Sequence, residues 1–103
     1  MLDSRQMDMI PRLSDVEAEI LRLLIANGEM YGLELVGASK LIKRGSVYVT
    51  LGRMADKGFV TSRAVKPEHV PGMPRRLFVA TGLGERVLRA CALANAILRE
   101  VTA

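Results

Sequence analysis

The chain has 103 residues, half of them apolar but only four aromatic and none tryptophan, with a net charge of +4. That bounds it to one domain whose modest core is built from Leu, Val, Ile, Ala and Met. No run approaches the roughly 18 apolar residues of a membrane span, and Asp3, Arg5 and Asp8 interrupt the start where a signal-peptide core would lie, so a soluble, cytoplasmic protein with no membrane partner is expected.

Residues 1–12 are Met-rich, weakly patterned and close on Pro11, and read as an N-terminal arm. A domain is expected over 13–80 and a separate terminal helix over 81–103. At Ser14 and Glu17 the chain shows capping-box spacing, in which each side chain satisfies an orphan backbone N–H at a helix start. Asp15, Glu17 and Glu19 suit the positive end of the helix dipole. The first helix runs through Ile20, Leu21, Leu24 and Ile25 to a stop at Asn27-Gly28.

A second, shorter helix begins within Met30-Tyr31-Gly32-Leu33-Glu34-Leu35 and ends near Ser39. Gly32 and Gly37 each weaken it by up to about 1 kcal/mol relative to Ala if interior. A glycine there answers to close packing, with the first helix as the neighbour expected. After a short link at Leu41-Ile42 the spacing predicts a third helix over Lys43 to Lys57. Val47, Leu51 and Met54 form its inward stripe, and Gly58 is the left-handed cap. At about 100° per residue the outward arc carries Ser46, Val49, Thr50, Arg53 and Lys57. Small and basic side chains on one helix face suit the major groove of DNA, although an ordinary solvated face has the same look.

After Gly58 the period changes. Phe59 to Val65 and Arg75 to Ala80 read as strands, and Lys66 to Pro74, with Pro67, Pro71, Gly72 and Pro74, reads as the loop of a β-hairpin wing. His69 falls in that loop as a surface residue. From Thr81, an N-cap candidate, a last helix carries Leu83, Val87, Ala90, Cys91, Ala94, Ile97, Leu98 and Val101 on one stripe for about five turns. The core has three helices and a hairpin to cover already, so the far half of this stripe is expected to dimerise with a second copy. Cys91 is the only cysteine and His69 the only histidine, which rules out an intramolecular disulfide and leaves too few ligands for structural zinc. Cys91 reads as a small buried hydrophobe.

The charge is unevenly placed. Residues 40–76 hold nine basic residues against two acids, while the remainder of the chain holds six basic and nine acidic residues. Positive charge gathered over one contiguous third is the footprint of a polyanion-binding face. No carboxylate pair, nucleophilic triad or phosphate loop with suitable spacing is visible, so no enzyme, metal site or cofactor is expected.

The order helix, helix, basic helix, hairpin, long helix is mainly α with a small β-hairpin. Three blocks within it resemble the PadR family of winged helix-turn-helix transcriptional regulators. They are Tyr31-Gly32-Leu33-Glu34-Leu35; Arg44-Gly45-Ser46-Val47-Tyr48 followed by Leu51, Met54 and Gly58; and Gly72-Met73-Pro74-Arg75-Arg76 through Thr81-Gly82-Leu83-Gly84. The resemblance implies a homodimeric repressor on promoter DNA, with the helix at 43–57 in the major groove and the wing near the adjacent backbone or minor groove, often relieved by a small hydrophobic effector. Lys43 stands where that family commonly has a capping Ser, which places positive charge and free N–H groups where a phosphate could dock. The Trp that stacks ligands in some relatives has no counterpart here.

On this reading Ser46, Val49, Thr50 and Arg53 face base edges, and Lys43, Arg44, Lys57, Lys66, Arg75 and Arg76 hold phosphates of double-stranded DNA. The competing readings are a winged-helix module that binds an acidic protein, and a sequence-blind architectural DNA binder.

Overall fold

In the computed structural model, residues 12–66 and 75–102 are described, and they form helices around a small antiparallel sheet. Helix α1 spans Asp15–Asn27 and opens on the capping box expected of it: the Ser14 hydroxyl accepts from the Glu17 N–H (3.1 Å) and the Glu17 carboxylate accepts from the Ser14 N–H (2.9 Å). It stops at Gly28, whose φ of 78° needs a residue without a Cβ. Next come the strand β1 (Met30–Tyr31) and helix α2 (Gly32–Ala38).

Helix α3 spans Val47–Asp56, beginning four residues later than the sequence suggests. Lys43 to Ser46 form a turn instead, with the Ser46 and Val47 N–H groups donating to the Lys43 carbonyl at 3.2 and 3.0 Å. Arg44-Gly45-Ser46 favours this, since glycine carries the largest backbone entropy cost in a helix and serine competes for the backbone. The far end of α3 follows expectation. Gly58 is left-handed at φ 81°, its N–H donates to the Ala55 carbonyl, and the Phe59 N–H donates to the Met54 carbonyl, the two bonds of a Schellman motif.

Strands β2 (Val60–Val65) and β3 (Arg75–Ala80) form the hairpin, paired from Val60 with Ala80 to Val65 with Arg75. Residues 67–74 of the wing loop, His69 among them, and the arm up to Pro11 lie outside the described residues. The hairpin has a third strand that the sequence reading assigned to a helix start: β1 pairs antiparallel with β3, Met30 opposite Phe78 and Tyr31 opposite Leu77, in the order β1-β3-β2. Helix α4 spans Gly82–Thr102.

The core collects Ile20, Leu21 and Leu24 of α1, Leu35 of α2, Ile42, Val47, Leu51 and Met54 at and on α3, and Met30, Phe59, Val60, Phe78 and Val87. The inward stripe of α3 is thus the buried one. Gly32 packs tightly, but against α3 rather than α1: a Cβ there would lie 2.7 Å from Tyr48 Cε1.

Candidate nucleic-acid interface

With Val47, Leu51 and Met54 buried, helical geometry at about 100° per residue turns Val49, Gly52, Arg53 and Asp56 away from the core. All four are exposed, Val49 by 58%. Val49, Gly52 and Arg53 make a surface of low relief with one guanidinium on it, the shape that permits close approach to a polar groove. Thr50 lies at the flank, half-buried, and its hydroxyl donates back to the Ser46 carbonyl at 3.0 Å. Ser46 is the exposed residue that precedes the helix and makes no side-chain capping bond.

Lys43 and Arg44 are exposed in the turn before α3, so they stand beside its start rather than in its first turn. Lys66 is exposed where β2 leaves the sheet, and Arg75 and Arg76 are exposed where β3 enters it. The Arg75 guanidinium sits over the Tyr31 ring, 5.9 Å from its centroid, and Arg76 Nη1 donates to the Ser62 hydroxyl at 3.0 Å.

Two basic residues of this third of the chain are held in ion pairs with acids from the chain's first third. Arg63 makes a bidentate pair with Glu29, at 2.7 Å for its Nη2, and this reaches across β3 to the entry of β1. The pair lowers the Glu29 pKa and raises that of Arg63. Lys57, expected to hold a phosphate, instead places its ammonium 3.2 Å from Glu17 Oε2, over the Phe59 ring. Burial works against ionisation of Glu17, but the Ser14 N–H and the Lys57 ammonium outweigh it and hold its carboxyl below the ordinary range. Lys57 therefore ties the end of α3 to the first turn of α1. Among the described residues Lys40, Lys43, Arg44, Arg53, Lys66, Arg75 and Arg76 form no ion pair.

Tyr48 was absent from the expected arc, yet its side chain is among the most prominent on α3. It is 56% exposed and lies over Gly32. Nothing in the period of α3 marks it, because the glycine that receives its ring is sixteen positions upstream.

The terminal helix divides in two. Its first half packs on the monomer through Val87, which is in the core rather than on a free stripe, and Cys91, which packs against that core, while Leu83 lies beside Gly58 and stays 40% exposed. Thr81 caps it by accepting from the Gly84 N–H at 3.0 Å, while its hydroxyl donates to the Gly58 carbonyl at 2.6 Å. One threonine thus joins the end of α3 to the start of α4. Beyond Cys91 no described residue of α4 is buried, and Leu93, Ile97, Leu98 and Val101 are exposed, Val101 by 75%. Ala90 and Ala94 border a shallow groove of about 380 Å³ shared with Leu13. No described helix is long and apolar enough to cross a membrane.

The family model of the PadR-like transcriptional regulators matches residues 20–90. No curated protein matches the chain. Among solved structures, the chain is similar to a PadR family transcription regulator from Clostridium difficile R20291, at TM-score 0.70 and 23% identity over 85% of this chain and 94% of that one. A PadR-like transcription factor from Bacteroides fragilis superimposes at TM-score 0.73 with 23% identity, covering 84% of this chain and 85% of its own. A third, Bacillus subtilis PadR in complex with operator DNA, superimposes at TM-score 0.67 with 22% identity over 77% of this chain and 47% of that one. At these identities the structural likeness carries the fold.

Proposed function

The chain belongs to the PadR-like family of transcriptional regulators, and from that premise we propose that it is a homodimeric repressor binding double-stranded DNA at a near-palindromic promoter site. The observation that carries the reading is the exposed Val49, Gly52 and Arg53 surface of α3, bordered by basic residues that form no ion pair within the described chain. Those residues come from the preceding turn on one side and the base of the wing on the other. Arg53 is assigned to a base edge, with Ser46, Val49 and Thr50 beside it. Lys43, Arg44, Lys66, Arg75 and Arg76 are assigned to phosphates, which hold the helix in register without reading sequence.

Dimerisation is assigned to α4 from Ala90 outwards, through Ala90, Ala94, Ile97, Leu98 and Val101 with Leu93. A second copy supplies the matching apolar stripe by symmetry. Two copies of α3 about a two-fold axis call for half-sites about 10 base pairs apart, or a multiple of that. Selection of bound sites from random duplex DNA tests the reading: it predicts an enriched inverted repeat with that spacing. Equal recovery of all sequences would favour an architectural role, and no recovery at moderate salt would favour a protein partner.

A further inference from the structure

Tyr31, Gly32, Tyr48 and Phe78 enclose, with the exposed Arg75 and Arg76, a groove of about 430 Å³ between α3 and the base of the wing. β1 covers β3 only at Leu77 and Phe78, so the two arginines extend past it beside the groove. Strand alternation places Arg76 on the same sheet face as the buried Phe78, towards the helices, and Arg75 on the opposite face, over the Tyr31 ring. The Tyr48 hydroxyl makes no hydrogen bond within the described residues. The groove therefore presents two guanidinium groups and a phenol hydroxyl, with no carboxylate among its lining residues.

We propose that this groove seats one backbone phosphodiester of the bound duplex, with the Tyr48 hydroxyl and the Arg76 guanidinium donating to the same phosphate and Arg75 supplying charge at its rim. The proposal rests on the DNA-binding reading above and adds a contact that joins reading helix and wing through one ligand. Charge complementarity selects the occupant, since a phosphodiester accepts from both donor types and charge-assisted bonds are the stronger class. It also gives Gly32 a role. Its φ is not positive, so its backbone does not require glycine. A Cβ there would instead push the Tyr48 ring, at 2.7 Å from Cε1, out of its place beside the arginines.

The test is a set of affinities for random-sequence duplex at several salt concentrations, with the fold of each variant checked by circular dichroism. Tyr48→Phe keeps the ring over Gly32 and should lower affinity about five- to tenfold on all sequences while leaving the salt slope unchanged. Arg76→Gln should lower affinity and reduce the slope by about one for each bound chain, about two for a dimer. Because both donors serve one phosphate, the double variant should lose less than the product of the two single losses. Gly32→Ala meets only the far end of a side chain, so it should fold and still bind more weakly. Tyr48→Phe or Gly32→Ala binding as tightly as wild type, or a double variant whose losses multiply, overturns the seat. Wild-type protein without salt-dependent affinity for duplex overturns the DNA reading itself.

Discussion

Arg53 and Lys57 are both basic, four positions apart on or just beyond one helix, and the structure gives them different work. Arg53 is exposed among small neighbours and forms no ion pair within the described residues, although Asp56 lies one turn on along the same face, whereas Lys57 is drawn onto a carboxylate of α1. Replacing Arg53 with Ala is expected to cost about 1–3 kcal/mol of binding and to relax preference at one base position, read by repeating site selection with the variant. Lys57→Ala is expected to leave DNA affinity nearly unchanged and to lower folding stability by roughly 0.5–1 kcal/mol, a figure kept small because the ammonium is half exposed and screened. A DNA loss for Lys57→Ala equal to that of Arg53→Ala would return Lys57 to the interface. The partner group sets a pH dependence. The Glu17 carboxyl titrates below its ordinary 4.5 in the folded protein, so its contribution is complete above that value and is lost as the pH falls through the lowered one. Denaturation of wild type and Glu17→Gln should therefore differ near neutrality and converge in acid. A sequence pattern cannot reveal this pairing, because Glu17 and Lys57 lie 40 positions apart and each alone looks like a solvated charge.

Legibility at the scale of elements follows the range of the interactions that make them. The capping box of α1, the left-handed stop at Gly58, the strands of the wing and the Thr81 cap are local, and each lies where side-chain chemistry placed it. β1 is two residues long and exists only because β3 lies beside it, nearly fifty positions later. No period can announce it. The start of α3 differs from the expected Lys43 because the apolar stripe begins only at Val47, and nothing in the pattern separates the basic residues before it from the helix. Gly58 offers the cleanest test at this scale. A Cβ there would make only an ordinary 3.5 Å contact with Leu83, so the strain of Gly58→Ala is backbone strain. A loss of about 1–2 kcal/mol is expected by chemical denaturation. A neutral result would mean that the Schellman bonds do not fix the end of α3.

At the scale of the whole molecule, α3 is fixed to the protruding helix α4. Thr81 bonds Gly58 and Phe59 on one side and caps α4 on the other, so the direction of α3 is set relative to α4. If α4 makes the dimer, it also sets the separation of the two reading helices. The exposed Leu93, Ile97, Leu98 and Val101 were largely visible in the sequence as a stripe longer than the core needs, though only the fold shows that Val87 is already used within the monomer. Leu98→Glu is expected to give a folded monomer in sedimentation and to abolish tight binding to a two-half-site duplex. Persistence of a dimer would move the interface elsewhere. The most direct test of the central claim is a titration of the protein against a selected inverted-repeat duplex across a range of salt. Two chains per duplex and a steep linear fall of log affinity with log salt, one that becomes shallower by about two for Lys66→Ala because each chain loses one phosphate contact, are the predicted result. One chain per duplex, or an affinity indifferent to salt, would contradict it.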